Sequence, residues 1–154
     1  MASSHADVLE RLRATVRDLV SLTTTLSAAQ MRKAAAPREW SPAQVVAHLA
    51  DAELVYGFRL RKVVTEPYPH LAAFDENAWA DRFALIDEEP KDALARWRVL
   101  RESNLRIFDS LVDDEWERTG MHAERGEMST ADIAELLADH DRNHLDQIRK
   151  SLAG

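Results

Sequence analysis

Cysteine is absent from this chain of 154 residues, and glycine occurs only 4 times. Without cysteine the chain has no disulfide framework, no thiolate metal ligand and no cysteine nucleophile. It contains no GxGxxG or GxxxxGK[ST] run, so nothing in it supports a dinucleotide site or a P-loop. These absences leave other side chains, above all histidine, as the candidates for chemistry.

A basic excess and a long apolar run are missing as well. The chain has 20 Lys and Arg against 27 Asp and Glu, a net charge of −7. This balance argues against nonspecific binding to nucleic acid, because no positive excess exists to displace counterions. The longest apolar runs are far shorter than a bilayer span, so we expect no membrane segment. The segment MASSHADVLERLRATV is charged early and has no apolar h-region, so we expect a cytoplasmic protein.

The spacing of apolar residues predicts helix along nearly the whole chain. Apolar residues recur at i, i+3 and i+4, which predicts four long amphipathic helices, at residues 6–27, 42–64, 88–112 and 129–152. Ser41, Pro42 and Gln44 form an N-terminal capping signature, and Ser129 with Asp132 plays the same role for the last helix. A short helix is predicted after Asp75.

These elements predict an all-α four-helix bundle formed by one domain, residues 1–154. Residues 65–75 and 113–128 are predicted to be loops, and no run alternates long enough to predict a strand. The connection between the second and third long helices has about 25 residues, which is long for a tight hairpin. Such a connection allows neighbouring helices to run parallel.

Histidine is the residue type whose placement carries a functional signal. The chain has six histidines, and His140 and His144 are four residues apart on the apolar stripe of the last helix. His48 lies on the apolar stripe of the helix at 42–64. Buried imidazoles need partners for their ring nitrogens, and a metal ion is one way to provide them. The three histidines are therefore predicted to bind one divalent metal ion, with a coordination position left open.

Competing interpretations of these histidines differ in how well they fit. A single core histidine is more often a hydrogen-bonded packing residue than a ligand. An HExxH metalloprotease motif is excluded because Asp141 follows His140. A di-iron centre of the ferritin type needs Glu-x-x-His pairs, and no glutamate stands three residues before any of the three histidines. No G-x-S-x-G nucleophile elbow is present.

Other polar residues are expected to lie outside the metal site. For His122, in the loop before the last helix, a place at the mouth of the site and a solvated loop position fit equally well. The remaining candidates are predicted to be solvated or peripheral: His5, His70, Asp139, Asp141, Arg59, Arg61 and Lys62.

Two segments resemble the DinB/YfiT-like family of metal-binding four-helix bundles. They are EWSPAQVVAHLADAE at residues 39–53, and GMHAERGEMSTADIAELLADHDRNHLDQI at 120–148, which contains the H-x-x-x-H pair. The resemblance implies an up-down-down-up bundle and a metal ion, zinc or nickel, bound by His48, His140 and His144. It also implies a homodimer. Relatives with assigned activities include S-transferases and isomerases that use bacillithiol, mycothiol or glutathione.

The sequence thus favours a metal-dependent enzyme that acts on a small-molecule substrate. A low-molecular-weight thiol would bind the metal as thiolate and attack an electrophile, or metal-activated water would carry out hydrolysis. One alternative is a non-catalytic, stress-related bundle with a structural metal or a pocket that only binds a ligand. Another is a helical dimerisation module with three core histidines and no metal. The sequence assigns no catalytic residue beyond the three predicted ligands.

Overall fold

Four long helices form a bundle in the computed structural model, which describes residues 2–83 and 88–153, with side chains from residue 5. They are α1 (Ala2–Thr24), α3 (Pro42–Thr65), α5 (Pro90–Ser110) and α7 (Thr130–Ala153). Three short helices lie in the connections: α2 (Ala28–Met31), α4 (Glu76–Phe83) and α6 (Asp113–Trp116). The predicted four-helix bundle is confirmed.

The helices run in up-down-down-up order. Polar contacts between α3 and α5 advance in the same direction along both helices, since Asp51 pairs with Arg96 and Arg61 with Asn104. These two helices are therefore parallel, and the long connection between them makes this possible. α1 and α7 are also parallel, because their contacts advance in the same direction along both helices. The pairs are Arg11–Glu135, Arg11–Asp139 and Thr15–Asp141.

Side-chain caps determine where the two site-bearing helices begin. Ser41 Oγ accepts from the Gln44 amide (3.3 Å), while the Gln44 side chain accepts from the Ser41 amide (2.8 Å). Ser129 and Asp132 make the same reciprocal pair at the start of α7, at 3.0 and 2.8 Å. Both predicted caps are confirmed. They place His48 about two turns into α3, on its buried side.

A small sheet at one end of the bundle corrects the expectation that the chain has no strands. It has the order β1 (His70–Leu71), β2 (Thr119–His122), β3 (Gly126–Ser129). β1 pairs with β2 in parallel, and β2 pairs with β3 in antiparallel orientation. The prediction of loop for 113–128 is wrong, because this segment contains α6 and the β2–β3 hairpin. The strands have two to four residues, too few for an alternating pattern to be recognised.

The bundle interior has two apolar clusters with polar residues between them. One cluster contains Ala52, Tyr56 and Leu60 of α3 and Ile133, Leu137 and Ala138 of α7. The other contains Val45, Val46 and Leu49 of α3 and Leu145 and Ile148 of α7. His140 and His144 fall between the two sets on α7. Within the described residues, no helix has both the length and the apolarity that a bilayer crossing requires.

Candidate metal centre

The three predicted histidines converge between α3 and α7. His48 Nε2 lies 3.0 Å from His140 Nε2, and His144 Nε2 lies 3.2 Å from the same atom. One ligand atom from each ring lies within 4.8 Å of the other two. The i, i+4 spacing on α7 stacks two of the rings on one helix face, and α3 supplies the third from the facing helix.

The donor set fits a divalent cation better than it fits a hydrogen-bonded cluster. A ring nitrogen carries either one proton or one lone pair, so His140 Nε2 cannot make good hydrogen bonds to both neighbouring nitrogens. A cation between the rings accepts lone pairs from all three. Nitrogen ligands about 2.0–2.1 Å from zinc in a tetrahedral site are roughly 3.3 Å apart, close to the observed 3.0 and 3.2 Å.

The hydrogen bond on the far side of His144 prepares its ring for coordination. His144 Nδ1 donates to the side-chain oxygen of Gln147 at 2.8 Å, so the lone pair is on Nε2, the atom that faces the other histidines. The corresponding Nδ1 of His140 is buried and has no hydrogen-bond partner among the described residues. The tautomer of His144 is thus determined by a neighbour one helical turn away.

Burial keeps the imidazoles in the state that binds metal. Burial, with the neighbouring His144 and His140, lowers the pKa of His48 to about 4. Burial and His140 also lower the pKa of His144. Both rings are neutral at pH 7, and neutral imidazole is the form that coordinates metal ions.

Glu76 is a site residue that the sequence analysis did not identify. Its Oε1 lies 3.3 Å from His140 Nε2, and the neighbouring His140 lowers the pKa of the Glu76 carboxyl group. It lies outside the set of ligand atoms that are all within 4.8 Å of one another. The structure therefore brings together three histidines with a carboxylate beside them. Glu76 is remote from all three in the chain and no local motif marks it.

One side of the centre opens into a cavity of about 730 Å³. The Trp40 ring lies nearly parallel to the His144 ring, with centroids 6.0 Å apart, and 4.9 Å from the His48 ring. The same cavity is also lined by charged residues, since Arg96 pairs there with Asp51 and Glu88. The cavity thus has both an aromatic side chain next to the histidines and charged side chains.

The other side opens into a second cavity of about 450 Å³, whose lining includes Tyr56, Arg59, Glu76, His122 and Arg125. His122 is buried, only 4% exposed, and is outside the three-histidine cluster. Of its two predicted positions, the one at the mouth of the site agrees with the structure. Glu76 and Tyr56 adjoin both this cavity and His140.

Two charged residues predicted to be solvated are buried. Asp141 is 1% exposed and binds Arg101 and Thr15, and Arg59 is 6% exposed with its guanidinium on the Ala72 carbonyl oxygen. Both expectations were wrong because the partners are not close in the sequence. A charged residue on a helix is expected to face solvent when no partner for it is known. Asp139 pairs with Arg11 at the bundle surface, as a solvent-facing residue would.

Comparison with known proteins identifies relatives along most of the chain. A model of the DinB superfamily matches residues 11–148. A protein of Oceanobacillus iheyensis, provisionally described as a metal-dependent hydrolase, is 28% identical over 109 residues. The match covers 71% of this chain and 63% of that protein, so the chain spans less than two thirds of this relative's length.

Two solved structures show the same fold. The first is YfiT from Bacillus subtilis, provisionally described as a metal-dependent hydrolase with an unusual four-helix bundle topology. It matches with a TM-score of 0.85 at 21% identity, covering 96% of this chain and 85% of that one. A mycothiol-dependent maleylpyruvate isomerase matches with a TM-score of 0.77 at 10% identity, covering 94% of this chain and 60% of that one.

Proposed function

This chain belongs to the DinB superfamily, and we propose that it is a metal-dependent enzyme whose divalent ion is bound by His48, His140 and His144. One observation carries the proposal: the Nε2 atoms of His48 and His144 lie 3.0 and 3.2 Å from His140 Nε2. A cation can bind all three nitrogens, whereas shared protons cannot satisfy them. Zinc and nickel are the metals that we propose, since both accept imidazole ligands.

An enzyme is favoured over a structural metal site by the number of protein ligands. Structural zinc sites are normally closed by four side chains, whereas catalytic sites have three and leave a position for a reactant. The described residues place three histidines within ligand distance and leave Glu76 outside that set. A divalent ion bound there supplies Lewis acidity that lowers the pKa of a coordinated water or thiol.

Glu76 is proposed as the general base of the reaction. Its carboxylate is half exposed, lies 3.3 Å from His140 Nε2, and has a pKa below its ordinary value, so it is ionised at pH 7 and able to accept a proton. Trp40 and Tyr56 cover the histidine cluster on its two sides. The two cavities beside these rings leave routes for reactants to the histidines.

Hydrolysis is the reaction that we propose first. The O. iheyensis and B. subtilis relatives are both provisionally described as metal-dependent hydrolases, and Glu76 is placed to activate a nucleophilic water. Thiol-dependent group transfer is the second candidate. It is supported by the 730 Å³ cavity next to His48, which has room for a thiol co-substrate besides the molecule that reacts with it. Homodimer formation and a cytoplasmic location stay predictions.

The metal site is tested by elemental analysis of untagged protein, wild type beside His144→Ala. We expect about one divalent ion per chain in the wild type and little in the variant, because the remaining two imidazoles bind far more weakly. His70→Ala is a matched control, since His70 is exposed and outside the cluster. Absence of metal from the wild type after incubation with zinc and with nickel would show that the proposed function is wrong.

The reaction is tested with the metal-loaded protein on a panel of activated esters, amides and electrophiles, each with and without a low-molecular-weight thiol. Thiol-independent turnover supports hydrolysis, and turnover only with thiol supports group transfer. Glu76→Gln is expected to lower kcat by about 10²–10⁴-fold while the metal content stays at wild-type level. A Glu76→Gln variant with full activity would remove Glu76 from the mechanism.

A further inference from the structure

The cavity of about 450 Å³ on the Glu76 side of the histidine cluster is lined by Arg59, which forms no ion pair with a carboxylate among the described residues. Arg59 is 6% exposed, and its Nε and Nη2 both donate to the Ala72 carbonyl oxygen, at 3.2 and 2.7 Å. Within residues 2–83 and 88–153 no Asp or Glu forms an ion pair with it. A buried guanidinium normally has an anionic partner, because removing the charge from water is costly.

The hydrogen bonds of Arg59 leave one particular edge of its guanidinium available. The Ala72 carbonyl oxygen accepts hydrogen bonds from the edge of the guanidinium formed by Nε and Nη2. The remaining edge carries one N–H from each of the two Nη atoms, a fork that matches the two oxygens of a carboxylate. The rings of Tyr56 and Phe74 lie 5.4 and 5.8 Å from the guanidinium carbon and restrict its orientation.

His122 presents a second donor in the same cavity. Its Nδ1 accepts hydrogen bonds from the backbone amides of Glu124 and Arg125, both at 3.1 Å. In the neutral ring the proton is therefore on Nε2, which makes no hydrogen bond within the described residues. Burial, Arg59 and Arg125 lower the pKa of His122, so the ring is neutral at pH 7 and this N–H remains a donor.

The acidic residues around the cavity have other partners or face solvent. The side chain of Asp75 accepts from the Ala78 amide as the cap of α4, and Glu76 Oε1 lies 3.3 Å from His140 Nε2. Glu124 is an exposed residue of the β2–β3 turn. None of these carboxylates forms an ion pair with Arg59, so its Nη edge is available to an anion.

We propose that this cavity binds a carboxylate group of the substrate, through the Nη edge of Arg59 and the Nε2–H of His122. Glu76 and Tyr56 adjoin both the cavity and His140, so a carboxylate held there would place the rest of the molecule beside the metal centre. The identification of this anion as part of the substrate rests on the proposed function. The binding of a carboxylate in the cavity does not.

The test is an NMR titration of the ¹⁵N-labelled protein with acetate at constant ionic strength, observing the ring signals of His122. It is done on the protein as purified and again after metal removal with phenanthroline, a chelator without a carboxylate. We expect saturable shifts in both samples. Acetate shifts that persist without metal show that the carboxylate site is separate from the metal centre. The carboxylate site and the proposed function can therefore fail independently.

Two variants assign the binding to named groups. Arg59→Lys keeps the charge and removes the fork, and His122→Asn keeps an acceptor near the Nδ1 position and removes the Nε2–H. Each is expected to raise the Kd for acetate by at least about tenfold. For His122→Asn the backbone amides of Glu124 and Arg125 are observed instead, and circular dichroism verifies folding of both variants.

Arg118→Gln is the matched control, because Arg118 also donates to backbone carbonyls, those of Val63 and Glu66, but does not line the cavity. Its Kd for acetate should equal that of the wild type. Two results would each overturn the proposal: no saturable shift, or the wild-type Kd in both Arg59→Lys and His122→Asn.

Discussion

Two polar clusters lie in the interior of this bundle, and they differ in whether protein groups satisfy all their hydrogen-bonding atoms. In the first, the buried Arg101 binds Glu53 at 2.9 and 2.8 Å and Asp141 at 2.9 and 2.9 Å. In the second, three histidine nitrogens meet at 3.0 and 3.2 Å, and the outer nitrogen of His140 has no partner among the described residues. Asp141 and His140 are adjacent in the chain, yet each belongs to a different cluster.

The first cluster is complete. Arg101 also donates to the Leu12 carbonyl oxygen, Thr15 donates to Asp141, and Asn104 donates to Glu53. Burial alone would lower the pKa of Arg101, but Glu53 and Asp141 raise it above its usual value. The cluster joins all four long helices through its own side chains. A complete network needs no ligand, so we interpret it as structural and the histidine cluster as functional.

The largest effect is expected from breaking the complete cluster. Arg101→Met leaves two carboxylates buried without a cation and should lower the free energy of unfolding by about 3–5 kcal/mol. The measurement is urea denaturation followed by circular dichroism. Arg98→Met is the control on the same helix, because Arg98 makes an exposed ion pair with Glu102 and no other ion pair within residues 2–83 and 88–153; its loss should cost under about 1 kcal/mol. Similar losses in both variants would contradict the structural role of Arg101.

Metal removal should have the next largest effect, and only through the histidine cluster. At a free metal concentration about 100 times Kd, binding stabilises the folded state by about 2.7 kcal/mol. For a chain of this length, removal should lower Tm by about 5–11 °C. The shift is measured with and without phenanthroline in the wild type and in His144→Ala. An equal shift in the variant would mean that the chelator acts elsewhere.

Gln147 should have a smaller effect on the same centre. Gln147→Leu removes the acceptor that orients the His144 ring and is expected to weaken metal binding by about 10–100-fold without abolishing it. Competition with a chromophoric chelator measures the change. Asn143→Leu, an exposed polar-to-apolar change on the same helix, is the control and should leave the affinity unaltered. Equal affinities for Gln147→Leu and wild type would show that the ring is oriented by packing alone.

Acid should destabilise the metal-free protein gradually. The unfolded His48 has a pKa near 6.5, and in the folded protein burial and the neighbouring histidines lower this pKa to about 4. Between these values the unfolded chain binds more protons, so the free energy of unfolding falls as the pH falls from 6.5 to 4. The slope is at most about 1.4 kcal/mol per pH unit for this proton.

Denaturation of the metal-free protein at several pH values measures this slope. His48→Gln should flatten it, whereas His70→Gln, at an exposed position, should leave it as in the wild type. A wild-type slope in His48→Gln would assign the proton uptake to other groups. His144 contributes in the same direction, because burial and His140 lower its pKa as well.

Features with a local cause were predicted well. The α3 and α7 caps at Ser41 and Ser129 depend on residues three positions apart, and both form as expected. The inward positions of His140 and His144 follow from their place on an apolar stripe with a period of 3.6 residues. The predicted helix after Asp75 also forms, with Asp75 as its cap.

Features with a distant cause were missed or wrong. The burial of Asp141 depends on Arg101, which is 40 residues away in the chain. Glu76 meets His140 only because the connection between α3 and α5 crosses that side of the bundle. The hairpin of β2 and β3 has strands of four residues, whose stability comes from pairing rather than from any periodic pattern.

The sequence by itself therefore determined the four helices, their inner faces and the three histidines on those faces, because helical periodicity and capping act between residues within about one turn. The tertiary structure alone decided that α3 meets α7 at His48, that Glu76 lies beside His140, and that Arg59 is buried with no ion-pair partner among the described residues. These contacts join residues far apart in the chain, and their geometry depends on how complete helices pack against one another.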